Sequence, residues 1–193
     1  MKWWLKYKSL PVLWRWFLQF LALMLIIAFI FAPKKQPIDY TDISFDSTAN
    51  SRLYFHNVRS FFYRIDKRSK APMLIYQLKR RIPERDSLNL NFDIIRQSAA
   101  DEAFIFSHLG SHFKHLDSLS LNFSAFADRE ELSNLRNEDH FRIAAKTYTS
   151  FIKEKPIFLM RGSDTIQELF SDRAAFIDAE ITLEDYFKLV QKN

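Results

Sequence analysis

Apolar residues are concentrated near the start of the chain in one stretch, residues 12–32, whose only strongly polar members are Arg15 and Gln19. At a rise of about 1.5 Å per residue, a helix of this length spans about 30 Å, the thickness of the hydrocarbon core of a bilayer. A buried helix in a water-soluble domain normally keeps a polar face, and this stretch has none. The pattern therefore predicts one transmembrane helix over 12–32.

The flanking residues predict the orientation of this helix. Four basic residues lie at its N-terminal end, Lys34 and Lys35 follow it, and all four tryptophans precede residue 17. The positive-inside rule and the interfacial preference of tryptophan then place the N-terminus in the cytoplasm. The alternative is a cleaved signal peptide, but the apolar stretch is too long, and Ile30 with Pro33 makes a poor cleavage site after Ala32. We expect an uncleaved signal-anchor in a single-pass protein of the cell (inner) membrane.

The rest of the chain divides by composition. A segment rich in proline, aspartate and small polar residues follows the apolar stretch and has no apolar periodicity, as in a linker. The predicted organisation is a basic and aromatic cytoplasmic N-terminus (1–11), a transmembrane helix (12–32), a polar linker (33–51) and an extracytoplasmic α+β domain (52–193).

The first half of the domain has the pattern of β-strands. Two β-rich runs, 52–66 and 73–81, flank a turn-like segment and predict an antiparallel hairpin. Apolar and polar residues alternate over 88–94 and again over 119–125, each time within a similar local sequence, which predicts two half-buried strands in equivalent places. A small internal duplication is the alternative. Between them, the apolar run 102–109 suits a central strand.

The C-terminal third favours helices. Apolar residues at helical spacing predict a helix over 138–154 with Asn137 as its N-cap, and Thr182 begins a last amphipathic helix. Between these helices we expect a short strand at 157–160 and a short helix from Ser163 or Asp164 to Phe170, while 174–181 fits either state. The predicted fold class is α+β: an N-terminal transmembrane helix, then a mostly antiparallel sheet with helices packed on it.

Two absences in the sequence exclude whole classes of function. The chain has no cysteine, which excludes disulfides, thiol nucleophiles, iron–sulfur clusters and zinc ribbons. Its two glycines, Gly110 and Gly162, stand alone, whereas Walker and dinucleotide-binding loops need several glycines close together. We predict no cofactor.

The net charge of +5 does not indicate a nucleic-acid partner. Residues 1–35 hold six basic and no acidic groups, so residues 36–193 carry 22 basic against 23 acidic groups. The domain is thus close to neutral, and no nucleic-acid partner is expected.

Charge is nevertheless uneven within the domain. Residues 52–85 hold ten basic groups against two acidic ones, so the hairpin is a basic arm on an acidic body. Interleaved aromatic residues suit contact with a polyanion, with anionic lipid headgroups or with an acidic protein. The alternative is that the arm neutralises the domain's own acidic groups. The candidate interaction residues are Arg59, Arg64, Lys67, Arg68, Lys70, Lys79, Arg80 and Arg81.

One group of residues could bind a transition metal: His108, His112, His115 and Asp117. Spacings of four and three would align the imidazoles on one helix face, although the strand predicted over 102–109 argues against a helix there. Ser107 beside His108 also suggests a hydrolase, but the G-x-S-x-G elbow is missing.

The sequence as a whole favours a non-enzymatic protein-interaction or assembly module. It would be integral to the membrane by one helix and would contact another membrane or envelope protein. A metal-dependent hydrolase or metal-binding envelope protein that uses the histidine group is the alternative.

Overall fold

The computed structural model describes residues 11–31, 35–68, 73–81, 88–97 and 100–192 of the chain. The chain divides into two units, Met1–Lys35 and Gln36–Asn193. The first unit contains helix α1 (Val12–Ile30), which buries none of its described side chains. Among the described residues, no helix combines the length and the apolar character that a membrane span requires. The transmembrane helix predicted over 12–32 is therefore not supported.

The second unit is an α+β domain, as predicted. It contains two four-stranded antiparallel sheets, with strand orders β1-β2-β3-β4 and β6-β5-β7-β8. The strands are β1 (Tyr63–Arg68), β2 (Met73–Leu78), β3 (Leu90–Gln97), β4 (Glu102–Leu109), β5 (Leu119–Phe123), β6 (Asp128–Glu131), β7 (Ile157–Arg161) and β8 (Asp164–Leu169). The helices are α2 (Ala49–Tyr54), α3 (Asn137–Ile152) and α4 (Arg173–Leu189).

Helices α3 and α4 join the two sheets into one core. Helix α4 packs on β3 and β4, and α3 packs against β4, β5 and α4. The core is rich in aromatic rings, with Phe141 of α3 edge-on to Tyr186 and Phe187 of α4. Beside the helices, the Oδ1 atom of Asn89 accepts a 2.9 Å hydrogen bond from the Phe170 amide, which links the start of β3 to the end of β8.

β4 is the outer strand of its sheet, and two other parts of the chain cover its free edge. An edge strand offers unpaired N–H and C=O groups that promote aggregation unless they are blocked. The Ala103 amide donates to the Phe45 carbonyl at 2.9 Å, and the Ser107 amide donates to His140 of α3 at 3.2 Å. Residues 36–48, which composition assigned to the linker, thus belong to the packed unit, and Ile38 is buried in its core.

Several predicted elements are wrong in type. The β-rich run that begins at residue 52 is helical as far as Phe62: α2 continues into one π-helical turn (Phe55–Arg59) and one 3-10 turn (Ser60–Phe62). A reciprocal capping box of Thr48 and Ser51 starts this helix. The short helix predicted up to Phe170 is strand β8, and the ambiguous run 174–181 belongs to the single helix α4. The hairpin is confirmed only as β1 and β2.

Candidate functional site

Three of the eight cations predicted to form an interaction face are paired within the domain. Arg59 Nε lies 2.7 Å from Asp185 Oδ1, and Arg81 lies 2.6 Å from Asp93 Oδ1. Arg80 pairs with Asp178, which like Asp185 belongs to α4. Because these acids are buried, the pairs fix the arm to the body of the domain. For Arg59, Arg80 and Arg81, the neutralising role that the sequence left as an alternative is the observed one.

The remaining cations of the hairpin are more accessible. Arg64 is exposed and donates to Gln77 Oε1 at 2.6 Å, and Lys67 is exposed on the same strand. Lys79 is exposed and donates to the Phe61 carbonyl at 2.8 Å. The side chain of Arg68 and the whole of Lys70 lie outside the described residues.

Large exposed apolar side chains also occur in the chain segment that leads into β1. Phe61 is 70% exposed, although the segment that carries it is well anchored. Phe55 is buried against Tyr63 and Tyr76, and Ser51 Oγ donates to the Leu189 carbonyl at 2.7 Å. The exposed apolar side chains are Leu53, Tyr54, Val58, Phe61, Phe62 and Ile65, which we call the 53–65 patch.

The predicted metal group is dispersed. His108 lies in β4 with Nδ1 4.0 Å from Asp93 Oδ2, whereas His112 lies in the 3-10 turn Ser111–Phe113 and packs edge-on to Phe113. His115 and Asp117 are exposed on the following loop. Within the described parts of the chain, no three His, Cys, Asp or Glu side chains are grouped so that they could hold a metal ion.

Ser107 pairs with a different histidine from the one suggested by the sequence. His140 lies in the first turns of α3, and its Nδ1 atom is 2.8 Å from Ser107 Oγ and 3.2 Å from the Ser107 amide nitrogen. Both residues are buried. Because a backbone amide can only donate, Nδ1 is the unprotonated nitrogen, and the Ser107 hydroxyl also donates to it. The neutral imidazole therefore carries its proton on Nε2.

Burial favours this neutral form of His140. Desolvation lowers the pKa of His140, the charge of Asp139 opposes that change, and nearby His108 adds to it. The sequence does carry a signal for this residue: His140 lies four residues before Ala144 and eight before Tyr148, on the apolar face of the predicted helix. Its pairing with Ser107, 33 residues earlier, has no local signal.

Ser107 and His140 line a cavity of about 500 Å³ at the end of β4. This volume falls within the range of small-molecule sites, roughly 300–1,000 Å³. His108 and Asp117 of the predicted metal group also line it, as does Lys114, which the sequence analysis did not single out. Its apolar lining consists of Leu90, Phe106, Leu109, Phe113, Leu116, Leu119, Leu132 and Leu135.

Comparison with known proteins assigns no function to the 53–65 patch or to the cavity. No family model, curated protein or solved structure matches this chain.

Ser107 and His140 form a close pair, but the described residues around them do not include the other groups of a hydrolytic centre. A serine nucleophile needs a base that a third group orients, together with donors for the developing oxyanion. In the described part of the chain, no carboxylate bonds His140, and both hydrogen bonds of its ring go to Ser107. The serine itself is 3% exposed in the middle of a strand. Its clearest role is to hold α3 against the edge of β4.

Proposed function

We propose that this protein is a membrane-anchored, non-enzymatic interaction module that contacts another membrane or envelope protein. Its contact surface would be the 53–65 patch with the neighbouring cations Arg64, Lys67 and Lys79. The main support is the exposure of six large apolar side chains on a segment that buried contacts hold in place. Apolar patches of this kind on a folded surface mark interaction sites.

The anchor in this proposal is the apolar stretch 12–32. The described helix within it exposes large apolar side chains along its length, from Leu13 and Trp16 to Phe20 and Ile26. Apart from Arg15 and Gln19, the sequence 12–32 is apolar on all sides, a composition suited to lipid rather than to water. The basic residues and tryptophans at its N-terminal end favour a cytoplasmic N-terminus and an extracytoplasmic domain in the cell (inner) membrane.

Charge favours an acidic protein surface as the occupant of the patch. The hairpin that follows it exposes three cations, Arg64, Lys67 and Lys79, against one carboxylate, Asp66. Aromatic residues, methionine and arginine are enriched in protein–protein contacts, and aromatic side chains supply most of the energetic hot spots. The patch contributes Tyr54, Phe61 and Phe62, and Arg59 lies over the Phe62 ring at 4.9 Å.

Site-specific photocrosslinking of the full chain in its own membrane tests this proposal. Benzoylphenylalanine at Phe61 should give a discrete protein adduct, because that side chain would lie in the interface. The same probe at Ile166, an exposed apolar residue of β8, is the matched control and should give none. Equal adducts at both positions, or lipid adducts alone at Phe61, would contradict a protein partner.

Charge variants test separately whether Arg64 and Lys67 belong to the contact surface. Arg64→Gln with Lys67→Gln should reduce the Phe61 adduct several-fold, since rim charges steer association. Glu168→Gln on β8 is the control for a general change of charge. An undiminished adduct in the double variant would show that these cations are not part of the contact surface.

Fusion of a reporter after Asn193 tests the anchor. A reporter that lies in the cytoplasm would refute the proposed topology.

A further inference from the structure

The cavity at the end of β4 contains a hydrogen-bond donor that the protein itself does not use. Nδ1 of His140 accepts from both the amide and the hydroxyl of Ser107, so the proton of the neutral ring is on Nε2. Within the described residues, no protein group bonds Nε2. The residue as a whole is only 6% exposed and lines the cavity.

A buried imidazole held in this way is a preorganised donor. A buried polar group normally has a hydrogen-bond partner, because folding removes the water that would otherwise bond it. The two bonds from Ser107 fix the ring orientation, so a ligand oxygen would meet the Nε2–H group without rearrangement.

The other residues that line the cavity determine the chemical character of such a ligand. Eight leucine and phenylalanine side chains line the cavity, beside three serines, two histidines, Lys114 and Asp117. Charged groups in the lining are few: Lys114 is exposed, Asp117 is exposed, and His108 is half-buried. Because one cation and one carboxylate nearly balance, binding energy would come from the apolar body of the ligand and from one acceptor oxygen.

We propose that this cavity binds a small, mainly apolar molecule whose polar end is an oxygen acceptor, a carboxylate or a carbonyl, which receives the Nε2–H bond of His140. Ser107 orients the imidazole and does not touch the ligand. Lys114 lies where it can contact the anionic form of the head group. This inference goes beyond the proposed function, because the cavity lining contains no residue of the 53–65 patch.

NMR of the full chain, labelled with ¹⁵N-histidine and held in lipid nanodiscs, tests the proposal. Three water-soluble probes share an aromatic body: phenylacetate, methyl phenylacetate and benzylamine. The first two carry acceptor oxygens, whereas benzylamine carries only a cationic head. A saturable shift of the His140 Nε2 resonance with either acceptor probe, at a Kd of about 1 mM or below, supports the site. Of these two probes, the one that binds more tightly shows whether the site prefers an anionic or a neutral head group.

Two variants make the test specific. Leu116→Trp fills the cavity from its lining and should weaken probe binding at least about ten-fold, which is about 1.4 kcal/mol. His115→Gln changes an exposed histidine outside the lining and should bind as the wild type does. Circular dichroism confirms that each variant is folded.

Three results would each overturn the proposal. The first is the absence of any shift of the His140 resonance with all three probes at about 10 mM. The others are binding of benzylamine as tight as that of the acceptor probes, and unchanged probe binding in folded Leu116→Trp. The outcome is separable from the proposed function, since Leu116→Trp should leave the photocrosslink at Phe61 intact.

Discussion

Arg59 Nε donates a 2.7 Å hydrogen bond to Asp185 Oδ1, and the two residues are 126 positions apart in the chain. The other carboxylate oxygen of Asp185 accepts a 2.8 Å bond from the hydroxyl of Tyr63. Asp185 is 4% exposed, so its charge is compensated almost entirely by these two partners. One buried carboxylate of α4 therefore fixes the π-helical turn and the start of β1, which together carry the 53–65 patch.

The first prediction concerns this carboxylate. Asp185→Asn should lower the free energy of unfolding by about 2–3 kcal/mol, because it leaves Arg59 without its counter-charge. The expected loss lies at the low end for a buried pair because the Arg59 side chain is 25% exposed and can be partly hydrated. Urea unfolding followed by circular dichroism measures the change. Tryptophan fluorescence is unsuitable because all four tryptophans precede residue 17.

A surface pair on the same helix is the control. Lys188 pairs with Glu184 at i,i+4 spacing, and Lys188→Gln should change stability by less than about 0.5 kcal/mol. Equal effects of the two substitutions would mean that the Asp185 contacts contribute no more than an exposed ion pair.

The sequence predicts the fold best where one local signal acts alone. The bounds of the strand 102–109 are confirmed, although it lies at the edge of its sheet and not at the centre as predicted. A continuous apolar run determines this strand, and apolar periodicity determines α3, which begins one residue from the predicted start. The helical segment from Ala49 to Phe62 was missed because its aromatic and β-branched residues favour strands. The Thr48–Ser51 capping box and the buried ring of Phe55 override that propensity.

The candidate site was harder to predict because its contacts are non-local. Charge counting found the basic arm but could not show that Arg59 and Arg80 meet two aspartates of α4, about a hundred residues later. In the same way, adjacency in sequence suggested Ser107 with His108. The alternation of side chains along β4 sends neighbours to opposite faces, and the partner of Ser107 comes from α3 instead.

The second prediction concerns the turn between β7 and β8. Gly162 begins a two-residue hairpin loop with φ of +58°, a conformation that β-carbon contacts disfavour in other residues. A β-carbon at this position would meet no atom within 4 Å, so the cost of Gly162→Ala is backbone strain alone. We expect a loss of about 1 kcal/mol in the free energy of unfolding. Ser163→Ala in the same loop is the control, and an equal loss there would contradict this explanation.

The third prediction is a dependence of stability on pH that arises from His140. Burial makes the pKa of His140 lower in the folded chain than in the unfolded chain. The unfolded state therefore binds more protons just below pH 6.5, and stability should fall as the pH drops from about 6.5 towards the folded pKa. His140→Gln should flatten this part of the profile, whereas His115→Gln, at an exposed position, should not. Parallel profiles for wild type and His140→Gln would exclude His140 as the source.

The last prediction concerns Lys146, a 2%-exposed lysine of α3 that pairs with two carboxylates of β6. Its ammonium bonds Asp128 and lies 2.6 Å from Glu130 Oε1. Burial alone would lower the pKa of Lys146, but the hydrogen bonds to the two carboxylates and their negative charges together outweigh burial and raise it. The bond from Lys146 is also the main reason why the pKa of Asp128 is lowered.

Lys146→Met keeps most of the aliphatic stem and removes the charge. The pKa of Asp128 should then rise towards its ordinary value, as measured by NMR titration of the carboxyl carbon. Stability gained from the lowered pKa of Asp128 is present above the unfolded pKa and is lost as the pH falls through the folded pKa, so the variant should lose less stability in acid. Near pH 7 we expect a cost of about 1–2 kcal/mol, since the Asp128 side chain is 51% exposed and regains water.

Lys153→Met is the matched control for this change. Lys153 directly follows α3 and is exposed, and its ammonium lies over the Phe126 ring at 4.9 Å rather than beside a carboxylate. The same substitution there should leave the titration of Asp128 unchanged. If both variants shift that titration equally, the lowered pKa of Asp128 reflects the general field of the domain and not its bond to Lys146.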